Sequence, residues 1–276
     1  MSHVLSRDDT AIAYDRVGEG PSLVIVEGAL VAGRTNRTAA QLAELLASRF
    51  TVYTYDRRGR GESGDAVPYS VALELDDLDA VIAESGGEAF VFAVSAGAAL
   101  ALDAAARGSA INKLAVYGAP FIVDDSRPPV ASDYLVRLNE LLAADRRGDA
   151  VALFFSEAIG MPAAAIAGMR SQPFWAGLEG VAHTLAYDGA ILGSTTSGQA
   201  LPKGRWSAIT TPTLVIDGGA ADAFIRTAAD ALAVNLEHAE RRTLADQTQD
   251  YAAALMAPVL AEFFAGSSAT RSDAAA

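Results

Sequence analysis

Short, continuously apolar segments alternate with amphipathic segments along most of this 276-residue chain. The apolar segments are predicted strands and cover 11–17, 22–26, 50–55, 90–94, 114–117, 213–217 and 241–244. The segments between them repeat apolar residues at helical spacing and cover 38–49, 70–85, 96–107 and 223–235. Strands that are apolar throughout and alternate with helices are typical of a parallel sheet covered on both faces. The chain therefore predicts an α/β protein with a mostly parallel central sheet. The turn G-E-G-P at 18–21 predicts a hairpin between the first two strands.

Between Pro120 and Trp206 the strand pattern is absent from the sequence, and helical patterns recur instead. The predicted helices there cover 131–143, 148–158 and 173–192. A helical insertion of this length after a strand suggests a lid over the sheet edge. The predicted organisation is a core at 1–119 and 207–266, a helical lid at 120–206 and a flexible tail at 267–276.

Composition limits the classes of partner. The chain is 51% hydrophobic, which suffices for one large core, and its formal net charge of −13 disfavours nucleic acid and anionic membranes. It has no cysteine, so disulfides and thiolate metal sites are excluded. The N-terminal residues have no apolar signal segment, and no apolar run approaches a membrane span. We expect a cytoplasmic monomer or homodimer that takes a small molecule and binds neither nucleic acid nor membrane.

The segment A-V-S-A-G at 93–97 places Ser95 between a predicted strand and a predicted helix. A nucleophilic serine in such a position stands on a tight turn, with small residues two positions away on either side so that the backbones can pass. Gly97 fits this pattern, and Ala93 stands where glycine is usual. The alternative is that Ser95 only caps the helix that follows.

Three segments together identify a family. The segments D-R-R-G-R-G-E-S-G at 56–64, A-V-S-A-G at 93–97 and P-T-L-V-I-D-G-G at 212–219 resemble α/β hydrolases over nearly the full chain. D-D-S-R-P-P at 124–129 and A-H-T-L-A-Y-D at 182–188 further resemble a group of bacterial α/β hydrolases of mostly undefined substrate. The resemblance implies the α/β-hydrolase fold and a triad in the chain order serine, acid, histidine.

The chain departs from that triad at several positions. The family pattern places histidine at 249, where this sequence has Gln249, and an amide cannot act as a general base. Gly118 stands where the bacterial group favours glutamate. Asp222 follows the next strand about one residue later than usual, so it is either the acid or a helix cap. We expect Gln249 to contact the substrate instead.

Other residues are candidates for the missing chemistry. The backbone N–H groups of Ala29 and Ala96 are predicted to form an oxyanion hole, because such donors do not depend on the side chain. Glu27 stands where α/β hydrolases often have histidine, and burial would raise its pKa enough for proton transfer. The alternative for Glu27 is a surface position or a pair with an arginine.

The predicted lid also carries candidates. On a helix over 173–192, His183 lies opposite the apolar stripe and in line with Glu179 and Tyr187, so it is either a relocated base or part of a solvated face. Trp175 is predicted to form an apolar ceiling over the substrate, or else the core of the lid.

Three functions fit these residues. The first is a cofactor-independent, non-hydrolytic reaction on a small carbonyl compound, such as cyclisation, elimination or isomerisation, in specialised metabolism by analogy of fold. The second is a hydrolase of small esters, lactones or thioesters that uses Ser95 with an unusual base. The third is a protein that binds a small ligand without catalysis. No cofactor or metal site is predicted.

Overall fold

The computed structural model describes residues 2–266, and these form one eight-stranded sheet with helices on both faces. The strands are β1 Ser2–Leu5, β2 Ala11–Val17, β3 Ser22–Val26, β4 Thr51–Tyr55, β5 Ala89–Val94, β6 Ile111–Tyr117, β7 Thr213–Gly218 and β8 Ala239–Leu244. The helices are α1 Arg37–Leu46, α2 Val71–Glu84, α3 Ala96–Ala106, α4 Tyr134–Ala143, α5 Arg147–Leu153, α6 Ala163–Arg170, α7 Trp175–Gly180, α8 Thr184–Leu192, α9 Ala223–Asn235 and α10 Ala253–Ala265. The predicted tail at 267–276 lies outside the described residues.

The sheet is parallel except at one edge. Its strand order is β1-β2-β4-β3-β5-β6-β7-β8, and only the β1–β2 and β2–β4 pairs of the described sheet are antiparallel. This confirms the predicted α/β class and mostly parallel sheet. The predicted hairpin between β2 and β3 is wrong, because β4 lies between these two strands. Gly18 and Gly20 of the connecting turn instead lie against the backbone after α1, which directs the chain across the sheet.

Two apolar layers hold the helices to the sheet. On one face α1 and α10 bury side chains such as Leu42, Leu46 and Leu260 against the strands. On the other face α2, α3 and α9 bury side chains such as Leu78 and Leu232. Each buried leucine stabilises the fold by roughly 1.5–3 kcal/mol. The two layers fix the carboxyl ends of the parallel strands along one edge.

The helical insertion, residues 120–206, connects β6 to β7 and carries α4 to α8. It has its own apolar cluster, which includes Tyr134, Leu138 and Trp175. The single helix predicted over 173–192 is wrong, since the chain leaves the helix at Val181 and α8 starts only at Thr184. A π-helical turn, Phe154–Ile159, extends α5. The boundaries between core and lid remain a prediction.

Candidate active site

Ser95 lies on a strained turn between β5 and α3. Its backbone angles are φ 54° and ψ −124°, a conformation that non-glycine residues adopt only under constraint. Within the described part of the chain, its side chain makes no capping hydrogen bond to α3. The alternative explanation of Ser95 as a helix cap is therefore wrong, and the hydroxyl is directed elsewhere.

Small residues around Ser95 allow the strands and helix to approach closely. A Cβ atom added at Gly97 would lie 2.6 Å from the carbonyl oxygen of Glu27 and 2.7 Å from that of Val26. A Cβ added at Gly28 would lie 3.0 Å from the Cβ of Ser95. Ala93 is fully buried and pairs with Val26 in the sheet, so the extra methyl group is accommodated. The close packing presents Ser95 at the sheet edge.

A cavity of about 530 Å³ opens over Ser95. From the core it is lined by Ala29, Ser95 and Ala96. From the helical insertion it is lined chiefly by apolar side chains, among them Leu135, Phe154, Ile159 and Leu185. Its volume suits a small organic molecule, and its walls favour an apolar one. The structure thus brings together three predicted site residues, Ser95, Ala29 and Ala96.

Asp188 is the one charged side chain among the described residues that line this cavity. Its buried carboxylate accepts a hydrogen bond of 2.8 Å from Arg57 Nη1 and one of 2.7 Å from Arg60 Nη2. Both arginines are fully buried and also lie close to Glu74. The charges compensate one another, so the cavity wall is close to neutral.

Gln249 contacts Gly118. Two positions at which this chain departs from the family pattern are therefore neighbours in space. Its Nε2 atom donates a hydrogen bond of 2.6 Å to the carbonyl oxygen of Gly118. Gly118 has φ +59°, and a Cβ atom added there would lie 2.8 Å from Nε2. The amide of Gln249 therefore takes up the space that a side chain at 118 would need. Gln249 Oε1 is buried and has no hydrogen-bond partner among residues 2–266.

Asp222 occupies the position before α9 but does not cap it with its side chain, as far as the described residues go. The residue is exposed and lies on the wall of a second cavity of about 650 Å³, together with Arg127 and Phe224. Its predicted role as a side-chain cap is wrong.

Glu27 is buried directly after β3, with 4% of its surface exposed. Burial raises the pKa of its carboxyl group to about 7, against the opposing effects of the Gly28 N–H, Asn36 and Arg57. Its Oε1 atom has no hydrogen-bond partner within the described chain. The alternative of a surface position is therefore wrong. The alternative of a pair with an arginine is wrong too, because the carboxyl group makes no ion pair among residues 2–266. Arg57 donates its hydrogen bond of 3.3 Å to the backbone carbonyl oxygen of Glu27 instead.

Tyr251 lies near Glu27, and its hydroxyl also has no hydrogen-bond partner within the described chain. Its hydroxyl is buried and makes no hydrogen bond among the residues that the structure describes. Burial raises the pKa of this hydroxyl, and the negative charge of Glu27 raises it further. Neither Glu27 nor Tyr251 lines the cavity over Ser95.

His183 and Tyr187 lie at a contact between the helical insertion and the core. His183 Nε2 is 3.4 Å from Asp65 Oδ2, and the Tyr187 hydroxyl donates a hydrogen bond of 2.9 Å to the same oxygen. Burial lowers the pKa of His183, which Asp65 partly opposes. Neither residue lines the cavity over Ser95. Glu179, predicted to align with His183, instead accepts a hydrogen bond from Trp175 Nε1 at 2.8 Å.

Trp175 is 4% exposed and packs inside the helical insertion, 6.1 Å from the Phe155 ring between centroids. It does not line the cavity, so the predicted ceiling is formed by other residues, such as Phe154 and Leu185. Sequence reasoning missed the network of Arg57, Arg60 and Asp188. Its only signal was the dense run of arginines at 57–60.

Within residues 2–266, no group of three or more His, Asp or Glu side chains is placed to hold a metal ion. Among the described helices, none combines the length and the apolar character that crossing a bilayer requires.

Comparison with known proteins agrees with this geometry. A sequence model of the alpha/beta hydrolase family matches residues 30–263. The crystal structure of an alpha/beta hydrolase from Sphaerobacter thermophilus is 50% identical, with a TM-score of 0.87, and the match covers 95% of this chain and 100% of that chain.

Two more distant structures share the fold. A hydrolase from Pseudomonas aeruginosa is 19% identical with a TM-score of 0.67, over 96% of this chain and 98% of that one. The enol-lactonase from Burkholderia xenovorans is 21% identical with a TM-score of 0.60, over 88% and 91%. No curated protein matches the chain. On the family match and the 50% identical structure, the chain belongs to the alpha/beta hydrolase family.

Proposed function

We propose that the cavity over Ser95 takes a small, largely apolar carbonyl compound and transforms it without Ser-His-acid hydrolysis. The observation that carries this proposal is the position of Gln249, whose amide is bonded to the carbonyl of Gly118. Serine is a poor nucleophile without a base within hydrogen-bond reach. An amide cannot accept its proton at neutral pH.

The remaining equipment suits polarisation of a carbonyl group. Ala29 and Ala96 line the cavity, and their N–H groups would bind the carbonyl oxygen of a substrate there. Withdrawal of electrons from the carbonyl makes the neighbouring C–H groups more acidic, which favours isomerisation, elimination or cyclisation. Because water is not activated by a histidine, the bound substrate is spared from hydrolysis.

We assign the proton transfer to Glu27. A carboxyl group with a pKa of about 7 exists in both forms at neutral pH, as a proton donor or acceptor requires. The buried atoms Glu27 Oε1, Gln249 Oε1 and Tyr251 Oη have no partner among residues 2–266. Buried polar atoms of this kind are usually satisfied by ordered water, which would carry the proton to the cavity. His183 has no part here, because Asp65 and Tyr187 hold it outside the cavity.

A second candidate function is ligand binding without catalysis. It is favoured by Asp188, the charged side chain of the cavity wall, which two arginines neutralise. A cavity with this wall would retain an apolar ligand and release it unchanged. Incubation with a set of apolar ketones and lactones separates the two functions. A product formed by the native protein and lost in Glu27→Gln supports the enzyme, and tight binding with full recovery of the ligand supports the binding protein.

Turnover of p-nitrophenyl butyrate tests whether hydrolysis has been lost. We expect no turnover above background for the native protein, and Ser95-dependent turnover after Gln249→His, since histidine restores a base at the family position. Gln172→His, at an exposed glutamine of the helical insertion, is the matched control and should stay at background. Native turnover that Ser95→Ala abolishes would contradict the proposal and favour the hydrolase with an unusual base.

A further inference from the structure

We propose that Arg57 is a positioning residue that aims the N–H of Ala29 into the cavity and connects it to α8. This inference rests on the proposed role of Ala29 as an oxyanion donor. Arg57 follows β4 in the loop D-R-R-G-R-G, and its side chain is fully buried.

Arg57 bonds the backbone on one side of the predicted oxyanion loop, residues 27–29. Its Nη1 atom donates to the carbonyl oxygens of Glu27 at 3.3 Å and Gly28 at 3.5 Å, and to Asp188 Oδ1 at 2.8 Å. Its Nε atom donates to Glu74 Oε1 at 2.6 Å. The guanidinium is therefore fixed by two carboxylates, and the N–H of Nη1 that Asp188 does not take is shared between two consecutive carbonyl groups.

The planar peptide bond converts this contact into an orientation of Ala29. In a trans peptide, the carbonyl of one residue and the N–H of the next point in opposite directions. The Gly28–Ala29 bond is trans, since the one cis bond in the described chain is Val67–Pro68. Because Arg57 holds the Gly28 carbonyl on its own side of the peptide, the Ala29 N–H points to the opposite side. Ala29 lines the cavity over Ser95, and the proposed oxyanion hole needs its N–H to point into this cavity.

The same nitrogen links the oxyanion loop to the wall of the cavity. Asp188 lies on α8, lines the cavity and shares Arg57 Nη1 with the carbonyls of residues 27 and 28. A ligand that shifts α8 would move Asp188 and with it the guanidinium. The alignment of the Ala29 N–H is therefore sensitive to what fills the cavity. A cation bonded to the Gly28 carbonyl also polarises the peptide and makes its N–H a stronger donor.

Arg58 is a matched control in the same loop. It is also fully buried and ion-paired, but its partner is Asp77, with hydrogen bonds of 2.7 Å and 2.6 Å. It makes no hydrogen bond to residues 27–29 or to Asp188 in the described structure. Lysine at either position keeps the charge and loses the fixed fork of donors. A general structural effect of losing a buried arginine should therefore appear in both variants. An effect on Ala29 should appear only in Arg57→Lys.

The test compares Arg57→Lys with Arg58→Lys by NMR and infrared spectroscopy. In the ligand-free protein, the Ala29 amide resonance should move in Arg57→Lys and stay in place in Arg58→Lys. The ligand is 2-acetylnaphthalene labelled with ¹³C at its carbonyl, whose infrared stretch should shift to lower frequency (a red shift) when it binds to the native protein. Bound to Arg57→Lys, the ketone should lose most of this red shift. The variant should also bind it about tenfold more weakly, as expected for the loss of one hydrogen bond. Arg58→Lys should bind as the native protein does.

Each outcome has a separate meaning. An Ala29 resonance that does not move in Arg57→Lys, or moves equally in Arg58→Lys, overturns the positioning role. A native protein that gives the ketone carbonyl no red shift overturns the proposed oxyanion hole, whatever the amide resonance does. If Arg57→Lys does not fold, Asp188→Asn is the second variant, and an unchanged Ala29 resonance in it contradicts the link to α8.

Discussion

Replacing Glu27 by glutamine should stabilise the folded protein strongly at pH 8 and only weakly at pH 5. The physical reason is the raised pKa of the buried carboxyl group, about 7 against 4.5 for an ordinary glutamate. Between these values the folded protein keeps the proton and the unfolded chain releases it. The contribution of Glu27 to the free energy of unfolding therefore falls as pH rises through this interval and levels off above pH 7.

The size of the effect follows from the same two values. At about 1.36 kcal/mol for each pH unit, the interval corresponds to about 3 kcal/mol of stability lost between pH 4.5 and pH 7. Glutamine has nearly the same shape and does not ionise, so Glu27→Gln should show none of this loss. The difference between variant and native protein should grow from about 0.8 kcal/mol at pH 5 to about 3 kcal/mol at pH 8.

Urea unfolding at pH 5, 6, 7 and 8 measures this difference. Fluorescence follows both regions, because Trp175 lies in the helical insertion and Trp206 packs against the core. Effects of other titrating groups are common to both proteins and cancel in the difference. Glu88→Gln, at an exposed glutamate before β5, is the control and should show no pH-dependent gain. A difference between Glu27→Gln and native protein that does not change with pH would refute the reasoning.

Two further substitutions test the packing and the contact between insertion and core. Gly97→Ala should destabilise the protein by about 1–3 kcal/mol, because the new Cβ would lie 2.6 Å from the carbonyl oxygen of Glu27. Gly168→Ala in α6, where nothing lies within 4 Å, should be neutral or stabilising in the same thermal melts, and equal losses would argue against the close approach. Because burial lowers the pKa of His183, the contribution of this residue to stability should be lost as pH falls below 6.5, opposite in sign to the contribution of Glu27. His183→Gln should remove that loss in urea unfolding at pH 5 and 7.5, and an unchanged loss would assign it to other groups.

The fold was predictable because strand and helix patterns are local. The bounds of β2, β3 and α9 agree with the predicted ranges to the residue. The predicted hairpin failed because strand pairing is a long-range property, and β4 enters between β2 and β3 from elsewhere in the chain. The predicted continuous helix at 173–192 failed because its apolar spacing persists through a break at Val181.

The candidate site was predictable only where backbone position decides it. The structure brings Ser95, Ala29 and Ala96 together at one cavity because they follow adjacent parallel strands or begin the helix after them. His183, Trp175 and Tyr187 were assigned from helical geometry, which cannot say whether a face meets the cavity or the core. The pairing of Asp188 with two arginines far away in sequence was not predictable from spacing, because it depends on how the insertion folds back.

Intact mass after exposure to a fluorophosphonate probe tests whether Ser95 is an activated nucleophile. The native protein, with Gln249 at the family's histidine position, is predicted to remain unlabelled while folded. Gln249→His should gain label that the added Ser95→Ala substitution removes. Stoichiometric labelling of the native protein, lost in Ser95→Ala, would contradict the account, because it would show that another group activates the serine for hydrolysis.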